Sequence, residues 1–182
     1  MKLRTSFGVV ATASLVLAGT ALQGTAIADD GGGLTNTVRI EDRCEPTSFN
    51  AAIGEGTCVP NEHGDVTFEE FLEELNPTDF GDDHWRFSRE NFSVDKGERV
   101  ALTNPGGEAH TFTEVAAFGG GCLDQLNVPL GLTGLDGDAC GAAFEGIIIP
   151  GAKVTLPALT PGQHKFICVI HPWMRSTVTQ RG

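Results

Sequence analysis

The chain has 182 residues, with 24 Asp and Glu against 12 Lys and Arg, and a formal charge of −12 at pH 7. That length suits one domain with a core of its own, and no basic patch is available to neutralise phosphates, which argues against a nucleic-acid partner. The acid is unevenly spread: residues 29–99 hold eighteen acidic and six basic side chains, residues 100–182 six and four.

Residues 1–28 read as a targeting segment. Lys2 and Arg4 give a basic start, an apolar stretch runs from Phe7 to about Leu22, and Ala26-Ile27-Ala28 offers a small-x-small cleavage pattern. The stretch is too short and too rich in Gly, Ser and Thr to predict membrane insertion. Cleavage after Ala28 leaves 154 residues, and losing Lys2 and Arg4 takes the formal charge from −12 to −14. The expected product is exported, periplasmic or extracellular.

Residues 29–79 are expected to form an N-terminal extension packed on the domain that follows. Asp29 to Leu34 is an acidic, Gly-rich leader. Thr37-Val38-Arg39-Ile40 alternates enough for an edge strand. Pro46 to Ile53, stopped by Gly54, predicts a short helix. Thr67-Phe68-Glu69-Glu70 is a capping-box pattern, after which Phe68, Phe71, Leu72 and Leu75 recur at helical spacing up to Asn76-Pro77. From Trp85 the period shifts toward two. Trp85 and Phe87, Phe92 and Val94, and Val100 and Leu102 predict strands, with turns at Lys96-Gly97-Glu98 and Asn104-Pro105-Gly106-Gly107. His110, Phe112 and Glu114 fall on the next strand. An irregular Gly-rich excursion from Gly119 through Gly141 precedes further strands at Ile147 to Ile149, Val154 and Leu156, Lys165 to Val169, and Ser176 to Gln180. Many short strands with Gly and Pro turns predict an all-β sandwich or small Greek-key barrel over residues 80–182.

Five cysteines in an exported chain leave one unpaired. Four allow three connectivities, and nearness along the chain favours Cys44–Cys58 and Cys122–Cys140. The second pair would staple the long excursion. No CxxC knuckle supports zinc. Those four are the ones left once the Cys168 thiol is set aside as a metal ligand.

That thiol sits in Phe166-Ile167-Cys168-Val169-Ile170-His171-Pro172-Trp173-Met174, where Cys, His and Met recur every third residue, and His110 lies upstream in Gly107-Glu108-Ala109-His110-Thr111. One thiolate, two imidazoles and a thioether are the donors of a mononuclear blue-copper electron-transfer centre. The predicted ligands are therefore His110, Cys168, His171 and the weak axial Met174, with the His171 ring edge facing solvent as the electron exit. Asn104 and Thr111 are candidates to hold the ligands by hydrogen bonds. His63 and His84 read as solvated, and His164 as structural or surface.

The stretch Trp85 through Thr113, followed by Phe166 through Val178, resembles the cupredoxin family. Val94, Gly97, Val100, Asn104 and His110 follow its strand–turn–His pattern, and Cys168-x-x-His171-x-x-Met174 is similar to the short amicyanin-type ligand loop. The resemblance implies a cupredoxin-like Greek-key β-sandwich holding one type 1 copper ion near one end. It also implies a monomer that exchanges single electrons with redox partners, which the acidic front would favour being basic. An enzyme is not expected: Ile167 and Val169 flank Cys168, where a multicopper oxidase carries His. Exported copper buffering or delivery is the alternative, although the chain lacks the extra Met and His clusters expected of a delivery protein.

Overall fold

We describe residues 35–182 from a computed structural model; the predicted targeting segment and the leader lie outside the described residues. Eight strands form two four-stranded sheets. The first runs β2 (Arg86–Phe87), β1 (Thr35–Glu41), β4 (Arg99–Thr103), β6 (Lys153–Thr155). The second runs β3 (Asn91–Val94), β8 (Arg175–Gln180), β7 (Gly162–Ile167), β5 (Thr113–Val115). Both sheets are mixed, because β1 lies parallel to β4 and β3 parallel to β8. The non-sequential strand order is Greek-key-like, and the architecture is a cupredoxin-like β-sandwich.

The alternation read from the sequence fixes which side chains meet between the sheets. Val38 and Ile40 of β1, Val100 and Leu102 of β4, and Val178 of β8 are buried, as period two requires when one face is covered. Aromatic rings fill the interior: Phe112 stacks on Phe166 with centroids 4.4 Å apart and meets Phe87 at 4.8 Å.

Three features differ from expectation. The stretch read as an edge strand is β1, which sits inside its sheet between β2 and β4. Its alternation marks one buried face but carries no information about neighbours on either side. Residues on both sides of position 80 thus belong to one sheet. Helices are also not confined to the N-terminal region: besides α1 (Pro46–Ile53) and α2 (Phe68–Glu73), the Gly-rich excursion folds into α3 (Asp124–Asn127) and α4 (Gly137–Phe144). Asp136 caps α4 through the Ala139 amide, a local signal that the surrounding glycines obscured. The residues read as a strand at Ile147 to Ile149 contribute an isolated bridge, Ile148 to His110.

Helix α1 forms at the expected bounds, whereas His110 and Phe112, read on a strand with Glu114, precede β5, and Cys168 and Val169 lie past the end of β7. Thr67 and Glu70 make the reciprocal capping box of α2. Helix α1 is capped by Glu45, whose carboxylate accepts the Thr47 and Ser48 amides. Disulfides join Cys44 to Cys58 and Cys122 to Cys140, leaving Cys168 as the free cysteine among the described residues.

Candidate metal centre

One end of the sandwich gathers the chemistry. Strands β1 and β4, being parallel, finish at the same end, and the residues that follow them, Asp42 and Asn104 to His110, lie together there. Strand β7 delivers Cys168 just past its last residue, and the turn into β8 carries His171 and Met174. The Met174 amide donates to the His171 carbonyl at 2.9 Å, and the Cys168 amide donates to the Met174 carbonyl at 3.1 Å. These bonds fold the loop back on itself, so ligand candidates three residues apart share one small volume.

His110 and Cys168 are fully buried, Met174 is 1 % exposed and His171 3 %. The three strongest donors converge. Cys168 Sγ lies 3.7 Å from His110 Nδ1 and 3.8 Å from His171 Nδ1, and the two Nδ1 atoms are 3.3 Å apart. A trigonal site with metal–nitrogen bonds of about 2.0 Å and a metal–sulfur bond of about 2.3 Å places its donors roughly 3.5 Å (N···N) and 3.7 Å (N···S) apart. The triangle fits a first-row transition ion. Met174 belongs to the same buried cluster as Cys168 and closes the loop.

The surroundings prepare these atoms. The Thr111 amide points at Cys168 Sγ at 3.4 Å, and the Thr111 hydroxyl accepts the Val169 amide at 2.9 Å. Asn104 donates to the carbonyls of Glu108 and Ile148 and accepts the Gly106 amide, tying the turn before His110 to the bridge beside it. Burial alone would raise the Cys168 thiol, but hydrogen bonds from His110 and His171 outweigh it and hold the thiol well below its usual range. Burial opposes charge on His110, yet Asp42 and Cys168 push it up to about 10. The sulfur is thus favoured as thiolate, the form that binds metal.

Two buried acids escaped sequence reasoning. Asp42 Oδ2 accepts His110 Nε2–H at 2.9 Å. Glu108 accepts the Trp85 indole N–H at 2.6 Å and lies 3.6 Å from His171 Nε2; burial raises its carboxyl despite the nearby histidines. Nothing along the chain links Asp42 to His110. Glu108 lies two residues before His110, in the stretch the sequence had already singled out.

The exposed His171 edge expected from the sequence is not what the fold builds. Trp173, Phe71 and Trp85 surround the ring, with centroids 5.3, 6.2 and 6.4 Å away. Phe71 comes from α2, in the segment preceding the second half of the sandwich, and a ligand-loop pattern says nothing of what packs over it. Trp173, half-buried, lies over Gly81, where a Cβ would overlap the indole, and donates to the Asp82 carbonyl at 3.1 Å. An apolar groove of about 700 Å³ runs from Phe68, Phe71 and Leu72 to Glu108 and His171. The other histidines stand apart: His164 bonds Glu114 and the Thr160 carbonyl, His84 pairs with Asp82, and His63 is exposed.

No family model matches the chain, and no curated protein matches it. Among solved structures, it is similar to a purple cupredoxin from Nitrosopumilus maritimus, at 17 % identity over 58 % of this chain and 94 % of that one, with a TM-score of 0.38. Plastocyanin from the fern Dryopteris crassirhizoma overlaps at 15 % identity over 80 % of this chain and 100 % of its own, TM-score 0.39. An amicyanin variant overlaps at 16 % identity over 53 % and 73 %, TM-score 0.35. Strand order and register, rather than these overlaps, define the fold.

Proposed function

We propose that the protein is an exported type 1 copper protein that passes single electrons between redox partners, with His110, Cys168 and His171 as the strong ligands and Met174 as a weak axial one. The observation that carries this reading is the buried Sγ–Nδ1–Nδ1 triangle of 3.3 to 3.8 Å. A thiolate with two imidazoles and a thioether is the donor set that serves both oxidation states of copper. Bound copper would supply the electron-accepting centre; the chain supplies rigid donors, an apolar wall and a hydrogen bond to the sulfur. Burial under Phe71, Trp85 and Trp173 favours a resident ion over the readily exchanged cargo of a delivery protein. The two disulfides agree with an oxidising compartment. Electrons would pass through Trp173 and the aromatic wall.

The experiment is titration of the purified protein with Cu(II), followed by voltammetry. One equivalent should produce an intense visible thiolate-to-copper band and a reversible one-electron wave. Binding without that band, or release of the ion on reduction, would refute the electron-transfer reading.

A further inference from the structure

We propose that Asp42 is a positioning residue of this centre: its buried carboxylate fixes the His110 ring with Nδ1 aimed at Cys168 and His171, and its negative charge favours the oxidised ion. The proposal rests on the copper reading for its effect on potential, but its geometric half stands without it.

Asp42 has no exposed side-chain surface, and its carboxylate is placed by four groups. Oδ1 accepts the Gly107 amide at 2.9 Å and, more weakly, the Cys44 amide at 3.4 Å. Oδ2 accepts the Glu108 amide at 3.2 Å and His110 Nε2–H at 2.9 Å. An ionised carboxylate only accepts, so the shared proton belongs to the ring. With the Nε2 proton held by Asp42, it is the Nδ1 proton that a bound ion would displace, leaving the lone pair on the nitrogen that faces the sulfur.

The chain makes room for this contact. Gly106 lies against the carboxylate, and a Cβ there would overlap Oδ2. Asp42 itself is anchored just beyond the end of β1 and two residues before the Cys44–Cys58 disulfide. A buried acid on the far side of a ligand imidazole is the arrangement that raises ligand basicity and locks ring orientation in metal sites. Electrostatically, a thiolate and Asp42 together balance a divalent ion, whereas a monovalent ion leaves the buried set with excess negative charge. The oxidised state is therefore favoured, and the potential is lowered.

Asp42→Asn preserves size and an acceptor oxygen but removes the charge. The copper-loaded variant should keep its visible band, with the oxidised ion bound about tenfold more weakly relative to the reduced one. At the one-electron conversion this raises the potential by about 59 mV. Asp42→Ala removes orientation as well, and should retain Cu(II) about 10- to 100-fold less well. The second measurement needs no variant: long-range proton–nitrogen NMR of the wild-type protein loaded with Zn(II) should place the His110 proton on Nε2, protected from exchange. That spectrum decides the matter if Asp42→Asn fails to fold. An unchanged potential in a variant that retains the band, or a His110 proton on Nδ1 in the zinc-loaded protein, would overturn the proposal. Absence of the band from the wild-type protein would instead refute the copper reading, leaving the NMR test of Asp42 intact.

Discussion

Met174 is the proposed donor whose role depends most on the identity of the ion. It is buried in the loop that carries Cys168 and His171, and a thioether contributes weakly along the axis of a blue-copper site. Met174→Leu conserves volume, so the fold should survive. Loss of the donor should leave copper in place and raise the potential, each tenfold weakening of the oxidised state relative to the reduced one adding about 59 mV. Voltammetry of the matched pair checks this, and an unshifted wave would remove Met174 from the ligand set. At this scale the sequence was most informative where spacing is short: Cys168, His171 and Met174 lie within seven residues, and one tight turn must bring them near one another. His110 was legible through the turn before it. Asp42, by contrast, is 68 residues from its partner, and no local pattern reports a contact made by the parallel pairing of β1 with β4.

Elements decide what covers the centre. Helix α2 lays Phe71 beside His171 and against Trp85, with a Phe71–Trp85 centroid distance of 4.7 Å. Phe71→Ala should cost about 3–5 kcal/mol in denaturant unfolding. It should also let azide perturb the visible spectrum of the copper-loaded protein, whereas the wild-type spectrum should not respond. Helix α1, packed under α2 through Phe49 and Phe68, depends on its Glu45 cap. The Ser48 and Thr47 amides hold that carboxyl at about 2, below its ordinary 4.5. A depressed acid stabilises the fold above its unfolded value and loses that contribution as pH falls through the folded one. The cap should therefore be fully effective above pH 4.5 and fade toward pH 2, and Glu45→Gln should lower the melting temperature at pH 7 but not near pH 2. The capping box of α2 and the α1 boundaries were readable because caps are local chemistry. Helices α3 and α4 were hidden by glycines, and the inward position of β1 by its long-range partners.

Across the whole molecule, charge and apolar surface meet at the same end. Glu70, Glu73, Glu74, Asp79, Asp82 and Asp83 line a cleft of about 510 Å³ that shares Gly81 and Asp82 with the platform under Trp173. The sequence separated an acidic front from a nearly neutral remainder; the fold lays part of that front, α2 and the loop after it, against the turn that carries His171 and Trp173. A basic redox partner would then meet carboxylates and the aromatic wall together. Its association rate should fall as ionic strength rises, and neutralising Glu70, Glu73 and Glu74 should flatten that dependence. Trp173→Asp should slow transfer at every salt concentration in stopped-flow exchange, with the copper spectrum unchanged. All of this depends on one proposed bond, between Cys168 and copper. The most direct measurement is the visible absorption of wild-type and Cys168→Ser proteins, each given one equivalent of Cu(II). The wild-type protein should show an intense thiolate-to-copper band that the serine variant lacks; an undiminished band in Cys168→Ser would contradict the assignment.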